Sequence, residues 1–283
     1  MVKRILLAAG GILLLFVLLL FGKTTTVKSD FPRTEESLPA FNIVEAITKA
    51  KQKLSPSQLI TVSDLENNIS RGDVKIQAEK QFSQLAGFWK DSVGIFVPYA
   101  YYLSEAAKLD NSEKKLTFAA RLILENMRSE DNVALKTWEA ETAASLFEKA
   151  LKLDPGNDDL KVGLGSCYVY GQGMIGDARQ TMKGIQQLLE VVHKDSNNMQ
   201  AQLVLGIGAV ISRQLDKAIE RLHKVVSYDP QNLEAISWLA DAYAGKGDKQ
   251  NAAKWYEQSK KLVNNPAFSK EVDERIKALS TGP

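Results

Sequence analysis

Apolar residues recur along most of this chain at steps of three and four. From Phe41 onward, Ile43, Ile47 and Leu54 fall near one helical face, and Ser55-Pro56 closes that run because proline lacks the amide a helix interior needs. Leu59, Val62, Leu65 and Ile69 resume the spacing until Arg71-Gly72-Asp73 breaks it. No segment alternates with period two for long enough to predict a strand. The pattern predicts an all-α chain. One stretch differs in kind: Ile5 to Gly22 reads ILLAAGGILLLFVLLLFG, eighteen residues with no charge. As a helix it would span about 27 Å, close to the ~30 Å hydrocarbon core of a bilayer. A helix apolar all round predicts a membrane span rather than a surface helix.

The flanks of that span refine the expectation. Lys3 and Arg4 precede it, and FGKTTTVKSD follows without a small-x-small cleavage site or a cysteine to carry a lipid. An uncleaved signal anchor over 1–23 is expected, with a cleaved signal peptide as the alternative. The positive-inside rule places the N-terminus in the cytoplasm and the body outside it, in a periplasmic setting, although Lys23, Lys28 and Arg33 oppose that bias. Residues 24–40, with Thr24-Thr25-Thr26 and Glu35-Glu36, show no apolar periodicity and read as a polar linker. Residues 41–79 read as N-terminal helices.

The rest of the chain repeats. Leu153-Asp154-Pro155-Gly156-Asn157 matches Tyr228-Asp229-Pro230-Gln231-Asn232, and Asp195-Ser196-Asn197-Asn198 and Val263-Asn264-Asn265 are variants of the same turn. Turn-to-turn spacings, starting from Asn111, are 44, 41, 34 and 34 residues. Within the units, small and large residues recur in phase: Leu205-Gly206 with Ala218, Leu222 and Val225, then Leu239-Ala240 and Tyr243 with Ala252, Tyr256 and Ser259. Leu164-Gly165-Ser166-Cys167-Tyr168 and Ala143-x3-Phe147-x2-Ala150-x4-Pro155 complete the pattern. This resembles the tetratricopeptide repeat, a helix-turn-helix unit of 34 residues with the signature W-x2-L-G-x2-Y, A-x3-F, P. The resemblance implies a right-handed α-solenoid of helix pairs over 80–265, degenerate over 80–135 and clearer over 136–265. Residues 266–283 then form a capping helix and tail, with Phe268, Val272, Ile276 and Leu279 on one face. The surplus in the two long units maps to 127–134 and to 171–177 or the helix after it.

Composition removes other functions. Net charge is +2, and beyond the first 23 residues 33 basic side chains face 34 acidic ones, so no broad cationic field favours nucleic acid. One cysteine, Cys167, and two histidines, His193 and His223, leave no disulfide and no His- or Cys-rich metal site. Cys167 sits where a small buried residue belongs, and neither histidine stands where it could activate it. Gly171-Gln172-Gly173-Met174-Ile175-Gly176 fits G-x-G-x-x-G but follows a repeat helix instead of a strand, which predicts an interhelix turn and no dinucleotide site. No cofactor, no metal and no catalysis are expected.

The resemblance implies where a partner would bind. In this family the first helices line a concave groove through their second, fifth, ninth, twelfth and thirteenth positions. Here these are Asp159, Val162, Ser166, Val169 and Tyr170, then Gln200, Leu203, Ile207, Val210 and Ile211, then Glu234, Ser237, Asp241, Ala244 and Gly245. The expected binding residues are Val162, Ser166, Tyr170, Leu203, Ile207, Val210, Ser237 and Asp241. Co-chaperone members clamp a terminal carboxylate with Lys and Asn at the fifth and ninth positions. Val162/Ser166, Leu203/Ile207 and Ser237/Asp241 replace them, which argues against that ligand. An apolar groove suits a helix or an extended peptide. A second candidate surface is the aromatic cluster Phe88, Trp89, Phe96, Tyr99 and Tyr102, for which packing is the simpler explanation. The reading is a membrane-anchored scaffold for protein–protein interaction in an envelope assembly. A self-associating spacer is the alternative.

Overall fold

Asparagine starts five of the helices. Asn42, Asn132, Asn157, Asn198 and Asn232 each sit in extended backbone and accept, through the side chain, the amide three residues on, one of the donors a helix start leaves unpaired. In three inter-unit turns the carbonyl of an aspartate three residues earlier takes the cap's own amide: Asp154 to Asn157, Asp195 to Asn198 and Asp229 to Asn232, at 3.1–3.3 Å. That shared turn explains why Asp-x-x-Asn recurs even where the proline is missing. Gly247 ends a helix at φ 81°, a left-handed conformation costly for a residue with a Cβ.

The computed structural model describes residues 40–71, 75–173 and 178–281. Among them are helices and no strand. The expected membrane span at Ile5–Gly22 and nearly all of the linker lie outside the described residues. No described helix is long and apolar enough to cross a membrane. In chain order the helices are α1 (Ile43–Lys51), α2 (Pro56–Arg71), α3 (Lys75–Gly87), α4 (Phe96–Asp110), α5 (Glu113–Arg128), α6 (Val133–Leu153), α7 (Asp158–Ser166), α8 (Ala178–Lys194), α9 (Met199–Ile211), α10 (Leu215–Tyr228), α11 (Leu233–Lys246), α12 (Lys249–Leu262) and α13 (Pro266–Thr281). Two π-helical turns, Phe88–Val93 and Cys167–Gly173, extend α3 and α7.

The helices pack in successive pairs: α3 with α4, α5 with α6, α7 with α8, α9 with α10, and α11 with α12. Close crossings rest on residues too small to hold the helices apart. A Cβ on Gly206 would lie 2.8 Å from Cγ of Leu222 on the paired helix, so the leucine-glycine step is a packing requirement. One core runs through the last three pairs and another joins the earlier ones, with Phe147, Ala143, Ala150 and Leu164 at its centre. The helix α13 covers the last pair with Val272, Phe268, Ile276 and Leu279, the capping role expected of it.

Three expectations need correction. The first paired helix starts at Lys75 rather than near Lys80. The surplus of the second unit is not a loop at 127–134, because α5 runs to Arg128 and α6 extends over 21 residues from Val133. The surplus of the third unit is not a glycine turn in its described part, because the chain stays helical through Gly173, whereas the other expected place, the helix after it, is long: α8 has 17 residues. Gly171 is held there by contact: a Cβ would stand 2.2 Å from that of Ala140 on α6. Gly171 thus marks a close helix crossing, whereas a Cβ on Gly173 would meet nothing nearer than Thr181 at 3.4 Å.

Candidate functional site

The residues expected to line the concave groove divide into two groups. Val162 and Ser166, one turn apart on α7, line a pocket of about 210 Å³ together with Arg121 and Leu124 of α5, Phe147 of α6, Asp159, Gly163, Asn198 and Gln200. Its floor is apolar, through Leu124, Phe147 and Val162. Its rim is polar, with Arg121 and Asp159 forming an exposed ion pair at 3.5 Å. The hydroxyl of Ser166 donates to the Val162 carbonyl at 2.8 Å, which satisfies a polar group that is 3% exposed.

Leu203 and Ile207 do not line an open groove, contrary to expectation. They are 3% and 0% exposed and belong to a core with Met127, Tyr170, Ala235 and Leu239, drawn from α5, the second π turn and α11. The chain itself covers them. Above this core a polar latch spans three units. The Tyr170 hydroxyl donates to Oε1 of Glu234 at 2.8 Å, Arg128 at the end of α5 donates to Oε2 of the same carboxylate, and the Arg128 guanidinium lies 5.1 Å over the Tyr170 ring. Glu234 occupies the first turn of α11, where the helix dipole favours an acid. Burial and then the Glu234 charge push the Tyr170 hydroxyl far above its usual range, so it stays a donor. Burial disfavours the Arg128 cation, but Tyr170, Glu234 and Glu125 outweigh it and raise its pKa. Tyr170 therefore closes the groove instead of lining it.

Toward the C-terminal end, Val210, Ser237 and Asp241 are half-buried. Asp241 accepts the Tyr256 hydroxyl at 2.5 Å and pairs with Arg275 of the cap at 3.1 Å. The cap thus occupies the acidic end of the groove. The aromatic cluster resolves as packing: Trp89 is 0% exposed, Tyr102 is buried and donates to Glu66, and both pack with Ile47, Val62 and Leu85. Phe88, Phe96 and Tyr99 are half-buried around them.

Cys167 is fully buried, and burial pushes its thiol well above the usual range. His193 is exposed. His223 bonds the Tyr243 hydroxyl at 2.8 Å and lies edge-on to Trp255, and burial with Lys254 lowers its pKa. No group of three or more His, Cys, Asp or Glu that could hold a metal occurs among the described residues.

Two participants had not been singled out from the sequence. Arg128 sits in what looked like a loop insert, and its partner is 106 residues away. Glu139 on α6 is 0% exposed, takes one hydrogen bond from Asn126 at 2.8 Å, and leaves Oε2 without a partner. Burial raises its pKa to about 7 against the pull of Asn126.

Comparison with known proteins bears on this architecture. Residues 209–270 match the tetratricopeptide repeat family. A 110-residue stretch is 29% identical to the BBSome complex member BBS4 of Bos taurus, covering 39% of this chain and 20% of that protein, so the chain spans about a fifth of that relative's length. Among solved structures, MamA from Desulfovibrio magneticus RS-1 superposes with a TM-score of 0.46 at 22% identity, covering 68% of this chain and 95–96% of that one. YrrB, described as a tetratricopeptide protein with an unusual peptide-binding site, gives 0.44 at 18%, covering 69% and 91%. The family match thus falls on the C-terminal part of an all-helical body, from the end of α9 into α13.

Proposed function

We propose that this chain is a membrane-tethered tetratricopeptide scaffold that holds a protein partner through a peptide segment bound at the N-terminal half of its concave face. The observation that carries the site is the pocket between α5 and α7, the open part of the groove below the Arg128–Tyr170–Glu234 latch. Its apolar floor takes a bulky anchor, and its amide and charged rim takes the polar backbone of an extended peptide. The tether reading rests on the uncharged run Ile5–Gly22 with Lys3 and Arg4 before it, which favours a cytoplasmic N-terminus and an extracytoplasmic repeat body, with an envelope assembly as the setting.

Asp159→Arg combined with Gln200→Trp blocks the rim at two exposed positions. The double variant is expected to melt like the parent while losing a partner captured by crosslinking in intact membranes. Full retention of that partner would remove the concave pocket as the binding site. A reporter active only outside the cytoplasm, fused after Pro283, is expected to be active. Activity only from a cytoplasmic reporter would reverse the orientation.

A further inference from the structure

A groove of about 350 Å³ runs between α8, α9 and α10. One wall is a stripe on α8: Met182, Ile185 and Leu189, at the i, i+3, i+7 spacing that puts residues on one helical face. The floor is α9, through Leu205 and Ala209. The opposite wall is cationic, with Lys217 and Arg221 one turn apart on α10. The groove is open to solvent along one side, and Met182, a large apolar residue, is 56% exposed there.

The charges of this wall are not ion-paired among the described residues, and Glu220, the chain neighbour of Arg221, acts on it only as a nearby charge. No carboxylate lines the groove among the described residues, and neither Lys217 nor Arg221 forms an ion pair. The nearby acids are used elsewhere: Asp216 pairs with Lys246 at 2.5 Å and Glu190 with Lys161 at 2.7 Å. Arg221 spends one bond on the Gln202 side-chain oxygen at 2.6 Å, and Lys217 donates to Gln214 at 2.8 Å. Arg221 is half-buried, and burial lowers its pKa against the smaller opposing pull of Glu220.

We infer that the α8–α10 groove is a second docking site, for an acidic amphipathic helix of a partner protein. The walls fix the occupant. The stripe from Met182 to Leu189 is about 10 Å long, two helical turns, which suits apolar anchors repeating at the same interval on a bound helix. Acidic residues on the flank of that helix facing α10 meet Lys217 and Arg221. A groove open along its side admits a helix laid lengthwise. Nothing in this inference uses the concave pocket, so the scaffold carries two independent surfaces.

The test uses the full-length chain and a fluorescent acidic peptide of about 14 residues, with leucines at i, i+3 and i+7 and glutamates on one flank. Saturable binding is expected, weakening as salt rises. The same peptide with lysine for glutamate is expected to bind about tenfold more weakly or worse. Lys217→Glu with Arg221→Gln should remove that preference, and Met182→Asp should abolish binding while an unchanged melting curve shows the fold intact. Asp159→Arg with Gln200→Trp should leave this binding untouched, which separates its failure from that of the concave site. Absence of saturable binding, equal binding of the acidic and basic peptides, or indifference to Met182→Asp overturns the inference. So does displacement of the bound peptide by dodecanoate at equal occupancy, which would make the groove a lipid site. Self-association that Met182→Asp abolishes would make a second copy the occupant and overturn it equally.

Discussion

The last two helix pairs and the two before them use the same turn and solve the repeat differently. From Met199 to Leu262 the helices have 13 or 14 residues and the period is 34. From Glu113 to Lys194 they lengthen to 16, 21 and 17 residues, and α7 continues through a π turn. The Asp-x-x-Asn turn and its asparagine cap serve both regions, so turn chemistry does not set the period. Helix length does, and the longer helices reach further. The last residue of α5, Arg128, closes on Glu234 at the start of α11 and converts part of the groove into core. In the irregular region a pocket stays open between α5 and α7, whereas in the regular region Leu203 and Ile207 are buried in the core that the Arg128–Glu234 pair closes.

The largest effect is expected where helices touch through glycine. Gly206→Leu in the regular region and Gly171→Leu in the irregular one should each destabilise the chain by about 3 kcal/mol or more in denaturant unfolding, because a Cβ alone already collides with Leu222 or Ala140. If Gly171→Leu costs far less, the π turn yields, and the long units are loosely packed. The next effect belongs to Glu139. Its folded pKa is raised from 4.5 to about 7, so the folded chain keeps a proton that the unfolded chain releases. The stability cost is absent below about pH 4.5, grows as pH rises to about 7, and is constant above. Glu139→Gln should therefore stabilise by up to about 3 kcal/mol at pH 8 and by almost nothing at pH 4, measured by urea unfolding at each pH. A pH-independent difference would mean that Glu139 is solvated.

Arg128→Ala should cost about 1–2 kcal/mol, since the pair is only partly shielded from water, and a cycle with Glu234→Gln should show coupling between α5 and α11. Zero coupling would break the latch and with it the main difference between the regions. The smallest effect should be uniform. Asn157→Ala, Asn198→Ala and Asn232→Ala should each cost about 1 kcal/mol, because the cap geometry is the same in both regions.

Much of this was legible in the chain. Helix periodicity, the Asp-x-x-Asn turns and the Leu-Gly steps are local signals, and they marked the helix pairs, the cap and the close crossing at Gly206 correctly. The loop at 127–134 and the glycine turn were misread, while the alternative of a longer α8 agrees with its 17 residues; surplus residues with Gly or polar character look like loop until a neighbouring helix is there to pack them. Ala140 gives Gly171 its reason, and that contact cannot be seen from 31 residues away. Of the expected groove, Val162 and Ser166 line an open pocket. Leu203, Ile207 and Tyr170 are buried in the core, and Val162 and Ser166, themselves buried, differ in bordering that pocket.

Sequence by itself determined the elements: where helices start, which faces are apolar, and that 34-residue units stack. These depend on caps, periodicity and residue size, all of which act within one unit or between neighbours. Tertiary structure alone decided which apolar faces meet water. That outcome depends on α5 being long enough to carry Arg128 across to Glu234, and on the cations of α10 lying across a groove from the apolar stripe of α8. Exposure is a property of distant parts brought together, and no local pattern encodes it.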